Sequence, residues 1–144
     1  MRRLELSAAL PASAEAAWAV LIDTEQWPSW GTLVVSARGA FVGGSVWEME
    51  LQGSQGRAAR RMTPRFVSMV PGRRLVFETC VGHAALVRMT HIFDVEAAGP
   101  GRSVLRQTFE VSGALVLPLW PVLRRGMLQF AELGTDLAAR LGGP

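Results

Sequence analysis

The chain holds few residues suited to chemistry: two histidines, one cysteine, twelve acids and fifteen arginines. His91 and Gln107 stand out, because each falls at an apolar position of an alternating strand pattern. Met89, His91, Phe93 and Val95 share one strand face, and Leu105, Gln107, Phe109 and Val111 return on the same face after a turn at Gly99-Pro100-Gly101. Closing that hairpin sets His91 opposite Gln107, and the preceding hairpin pairs Phe77 with Met89. Polar groups on an apolar face must be satisfied. His91 and Gln107 therefore bond each other or a buried water, or they orient a polar group on a ligand. His91 is the candidate catalytic residue.

The acids point elsewhere. Glu48, Glu50, Glu78, Asp94, Glu96 and Glu110 all have the outward parity, and the registers line up Glu78, Arg88 and Glu110 as a charge ladder. No acid is expected inside to orient His91 as a base, and the absence of tyrosine removes another proton donor. That counts against an enzyme. Arg57, Arg60, Arg61, Arg65, Arg73 and Arg74 cluster along one strand and turn. They form a solvated edge, unless Arg60 or Arg61 reaches inward to hold a carboxylate. Pro64 marks an edge position or bulge there and leaves the facing of these two arginines open. Cys80, His83 and His91 lack zinc-ligand spacing, so no metal and no cofactor is expected. The glycine pairs are turns rather than phosphate loops.

These side chains need elements to hold them. Leu4, Leu6 and Ala8 alternate in a first strand ending before Pro11, and Ser13 caps a helix with Ala14, Ala17, Trp18, Leu21 and Ile22 on one face. A second short helix or turn surrounds Pro28. Gly43-Gly44 opens a strand through Trp47, Met49 and Leu51, Gly53 to Gly56 turns, and a longer strand runs to about Val70. Pro71-Gly72 leads into Leu75, Phe77 and Thr79. Trp120, Leu123, Met127, Phe130, Gly134, Leu137 and Leu141 follow a 3-4 spacing, the seam of one long helix over 117–141 stopped by Gly142-Gly143-Pro144. Gly126 and Gly134 on or near that seam suggest space for a cavity, since each costs about 0.8–1.0 kcal/mol against Ala. One apolar sheet face covered by a helix is an α+β layer solution.

Composition bounds the rest. At 144 residues the chain suits a single domain with a sizeable core. Apolar residues reach 49% and charged ones only 19%, which excludes disorder. The sequence pI of 10.9 reflects a flat titration curve, because every basic residue is Arg and the net charge is only +3. Tryptophans and arginines are not interleaved on a shared face, so no nucleic-acid partner is expected. One cysteine permits no internal disulfide and points to the cytoplasm. The N-terminus mimics a signal peptide, but Glu5 interrupts its apolar stretch and cleavage would remove the first strand. Val111 to Leu123, the longest apolar run, contains two prolines and is shorter than the ~20 residues of a spanning helix. No stable membrane insertion is expected, and a homodimer stays open.

Ala17-Trp18-Ala19-Val20-Leu21-Ile22-Asp23 leading into Trp27-Pro28-Ser29-Trp30 resembles the opening of the polyketide cyclase/dehydrase and lipid-transport proteins of the START-like (SRPBCC) superfamily. Gly44, the run from Pro71 to Phe77, His91-Ile92-Phe93-Asp94-Val95 and Phe109-Glu110-Val111-Ser112-Gly113 extend the likeness along nearly the whole chain. Many relatives carry Asn-Pro after the second tryptophan, where this chain has Gly31-Thr32. The resemblance implies a helix-grip fold: a curved antiparallel sheet wrapped around a long C-terminal helix, with two short helices after the first strand and an apolar cavity between.

The expectation is a cytoplasmic protein that binds, sequesters or transports a small hydrophobic or aromatic ligand, lipid-like or polyketide-like. Candidate ligand contacts are Trp27, Trp30, Trp47, Met49, Met62, Phe66, Phe77, Met89, His91, Phe93, Gln107, Phe109, Trp120, Leu123, Met127 and Phe130. The resemblance also permits a cyclase or dehydratase moving protons at His91. It permits a co-chaperone-like role in protein interaction too, which a filled core would favour.

Overall fold

A computed structural model describes residues 1–53 and 58–142. Strand β1 (Arg2–Leu10) is followed by α1 (Ala14–Ile22), a 3₁₀ turn (Thr24–Gln26) and α2 (Trp27–Trp30). Strands β2 (Val34–Arg38), β3 (Glu48–Leu51), β4 (Arg60–Met62), β5 (Arg65–Val70), β6 (Arg74–Cys80), β7 (Arg88–Ala97) and β8 (Ser103–Ser112) come next. Helices α3 (Val116–Leu128) and α4 (Ala131–Gly142) end the chain. The strands form antiparallel sheets in the orders β1-β8-β7-β6-β5 and β2-β3-β4, linked by a bridge between Val46 and Arg65. Helices cover the inner face, giving the α+β helix-grip arrangement.

Local chemistry sets the boundaries. The Ser13 hydroxyl accepts from the Ala16 N–H at 3.1 Å, the expected cap of α1. The longer strand expected up to Val70 breaks, because Pro64 has no N–H for a ladder. Its carbonyl instead accepts from Trp47 N, so β4 and β5 fall into different sheets. A bulge does occur in β5, at Val67 rather than at Pro64. Strand β2 was not delimited by the sequence pattern. Residues 54–57, with most of the expected Gly53–Gly56 turn and Arg57, lie outside the described residues, as do Gly143 and Pro144.

Both hairpin registers differ from expectation by two residues. The β7–β8 turn closes symmetrically about Pro100, with Ala97 opposite Ser103, so His91 faces Phe109 and Phe93 faces Gln107. The loop before β7 closes with Val81 N–H donating to the Val87 carbonyl, which sets Phe77 opposite His91 and Thr79 opposite Met89. A two-residue shift preserves facing, so the inward set survives. The outer ladder becomes Glu78, Thr90 and Glu110, with Arg88 one step along and 3.8 Å from Glu78.

The seam expected over 117–141 is helical but interrupted at Gln129–Phe130. Phe130, Glu132 and Leu133 N–H groups bond three residues back, a tighter turn than α. The Phe130 carbonyl accepts from the Gln107 amide at 2.9 Å. A side chain inserted into the helical ladder is a known cause of such a break. Gly134 leaves no void either. A Cβ there would sit 2.9 Å from that of Ala8, so the glycine lets α4 lie directly on β1.

Candidate functional site

The inner face of β5, β6, β7 and β8 carries a chain of aromatic rings. Phe66 meets Phe77, Phe77 meets Phe93, and each pair is edge-on at 5.5 and 6.2 Å between centroids. Trp27 closes on Phe93, and Trp47 on Phe77 at 5.3 Å. Both tryptophans are nearly fully buried, and both indole N–H groups are satisfied, by the Leu21 and Ala40 carbonyls at 2.9 Å. Trp47 lies so close on Gly39 that any side chain at that position would overlap its ring.

His91 lies in the middle of this surface. Its ring is stacked between Phe93 and Phe109, 4.1 Å from each, and Phe130 meets it edge-on. The Gln107 amide fixes its tautomer. Because the Gln107 nitrogen donates to the Phe130 carbonyl, its oxygen is the group 3.0 Å from His91 Nε2. Nε2 must therefore carry the proton, and Nδ1 is left as the ring's acceptor. Burial pushes the His91 pKa from 6.5 down to about 3, with the Gln107 bond acting weakly in the opposite direction. At neutral pH the imidazole is uncharged.

A cavity of about 30 Å³ adjoins this group, room for water rather than for a metabolite. Of the candidate contacts, Trp27, Trp47, Met49, Met62, Phe77, Met89, His91, Phe93, Phe109 and Phe130 line it. Six do not. Gln107 sits behind His91, Phe66 packs behind Phe77, and Met127 and Leu123 belong to the packing of α3. Trp120 lies under the Arg2 guanidinium at 5.3 Å. Trp30 packs edge-on against Trp27, and its indole nitrogen is buried without a partner.

Thr24, Ala37, Pro64 and Thr79 complete the lining and were not singled out from the sequence. Thr79 shares the parity of Leu75 and Phe77, so alternation alone identifies it. Ala37 belongs to the undelimited β2, and Thr24 and Pro64 sit in irregular backbone without a periodic signal. Among the described residues no acid and no arginine lines the cavity. Arg60 shares the inward face with Leu51 but reaches Gln129 at 3.3 Å, whereas Arg61 stands opposite Glu50 in the strand register, on the outward face. After Trp30, the Thr32 N–H and hydroxyl both donate to Asp136 at 2.9 Å, tying the Gly31-Thr32 loop to α4. Among the described residues no three His, Cys, Asp or Glu side chains converge as metal ligands.

The arrangement offers an apolar, aromatic enclosure whose polar lining residues are one neutral histidine and two threonines. Comparison with known proteins places this geometry. The model of a family described as polyketide cyclase / dehydrase and lipid transport matches residues 1–141. No curated sequence matches significantly. A START superfamily protein from Mycobacterium smegmatis superposes with a TM-score of 0.73 at 16% identity, covering 96% of both chains. Truncated norcoclaurine synthase from Thalictrum flavum gives 0.74 at 12% identity, over 99% of this chain and 94% of that one. The di-domain ARO/CYC StfQ of the steffimycin biosynthetic pathway gives 0.73 at 17% identity, over 96% of this chain and 49% of that one.

Proposed function

The chain belongs to the polyketide cyclase / dehydrase and lipid transport family, and from that premise we propose that it binds and carries a small hydrophobic or aromatic molecule between the sheet and the C-terminal helices. The observation that carries this reading is the lining: aromatic and methionine side chains around one satisfied imidazole, with no charged group among the described residues. Affinity would come mainly from apolar area removed from water, at about 25 cal/mol per Å². Because the empty space is only about 30 Å³, admission requires the lining to part. Met49, Met62 and Met89 supply the adaptable side chains for that.

Native and denatured masses of gently purified protein test the proposal. A reproducible non-covalent adduct, lost on denaturation, is the expected result. No adduct, together with no thermal shift across apolar and aromatic metabolites, would sink it in favour of a filled core that serves protein interaction.

A second reading rests on the free Nδ1 of a neutral His91 beside the cavity. That atom can accept a hydrogen bond, and it serves as a base in a cyclisation or dehydration only if a bound substrate raises the imidazole's depressed pKa. In that case His91→Gln abolishes turnover while binding survives.

A further inference from the structure

The outward side of α3 is apolar where it begins. Val116 and Met127 face the interior, while Leu117 is 71% and Val122 68% exposed, with Pro118 and Pro121 beside them. The loop between β6 and β7 extends this surface. Ala114 and Leu115 donate to the Ala85 and Leu86 carbonyls at 2.9 and 3.0 Å, which brings exposed Val81 and Leu86 to the same end of the molecule. Exposed apolar side chains gathered at one helix start and the loop bonded to it are the kind of surface that marks an interaction site.

Charge identifies the partner. No acid occurs between Glu110 and Glu132, nor anywhere in the loop from Val81 to Val87. Arg124 and Arg125 are exposed in the last part of α3, and Arg2 lies over Trp120 on its flank. A second copy docked by a two-fold axis would bring arginines against arginines with no acid from either segment. An anionic lipid surface complements both the apolar residues and the arginines. Pro121 has no N–H for the Leu117 carbonyl, and Leu115 provides no side-chain cap for the first turn. Those backbone groups need water or lipid headgroups, so the helix belongs at headgroup depth. No described helix is long and apolar enough to cross a membrane.

We propose that the N-terminal half of α3, with the β6–β7 loop, docks the protein peripherally on anionic bilayers. Flotation with phosphatidylcholine vesicles, with and without phosphatidylglycerol, tests it. The full chain should float with the anionic vesicles and release as salt rises. The double variant Leu117→Glu, Val122→Glu should weaken binding about tenfold or more. Arg124→Gln with Arg125→Gln should weaken it about ten- to thirtyfold at low salt. Val42→Glu with Val46→Glu, equally exposed elsewhere, should leave it unchanged. Thermal melts confirm folding of each variant, since the replaced side chains are mostly in water. The idea is overturned by no flotation with either vesicle, or by flotation that survives Leu117→Glu, Val122→Glu. It is equally overturned if wild-type protein is a non-floating dimer that those changes make monomeric.

Discussion

The two faces of β7 and β8 solve the same problem in opposite ways. Outside, Arg106 reaches Glu5 at 3.1 Å and Glu96 at 2.7 Å, and Arg74 grips Asp94 with two bonds of 2.7 and 3.2 Å. Inside, one residue further along the strand, the Gln107 amide joins His91 to the Phe130 carbonyl with no formal charge. Charge stays where water can screen and solvate it, and the polar side chains of the His91–Gln107 pair are neutral and partnered. The difference teaches which groups the fold depends on: a buried polar group without a partner is expensive, and an exposed ion pair is nearly dispensable.

The sharpest way to break that contrast is Gln107→Leu. It leaves the His91 Nε2–H in the interior without its acceptor, while the Phe130 carbonyl keeps the Leu133 N–H, so it should cost about 1–3 kcal/mol in denaturant unfolding. It should also let the turn at Gln129–Phe130 relax toward regular helix. A loss below 1 kcal/mol would mean that water takes over both bonds.

The acid side sharpens the comparison next. His91 is held near pKa 3 in the fold, against about 6.5 when unfolded. Its depressed value contributes stability that is fully present above pH 6.5 and is lost as pH falls toward 3. By pH 4.5 the wild type should have lost about 2–3 kcal/mol through this residue alone. His91→Gln keeps a donor for Gln107 and has nothing to titrate, so its stability should fall less over the same range. Equal slopes for the two proteins would contradict the burial argument.

This contrast was legible in the sequence because it rests on parity. A strand face is set by alternation, and even hairpins misplaced by two residues keep His91, Gln107, Phe93 and Phe109 on one side. What alternation does not encode is the closure point of a turn, and so the partner opposite His91 had to come from the structure. Period fails in another way at Phe130. The 3-4 spacing continues through it, yet a glutamine far away in sequence takes its carbonyl and divides the helix. The volume of the cavity was not legible either. It depends on side-chain packing, and Gly134, which suggested space, instead admits β1.

Arg106→Ala is the smallest expected effect and the one that isolates the outer face. Its side chain and those of Glu5 and Glu96 are between 36% and 46% exposed, so each carboxylate left behind returns to water without a burial penalty. Glu5 also keeps Arg3 within 3.9 Å. The loss should be about 1 kcal/mol or less in urea unfolding, despite two ion pairs with short distances. At about 1 M salt, where the screening length is about 3 Å, wild type and variant should converge. Gln107→Leu should be as costly at high salt as at low, because no ion screens a buried amide. If Arg106→Ala matched it in size or in salt independence, the outer pairs would have to be counted as part of the fold's core.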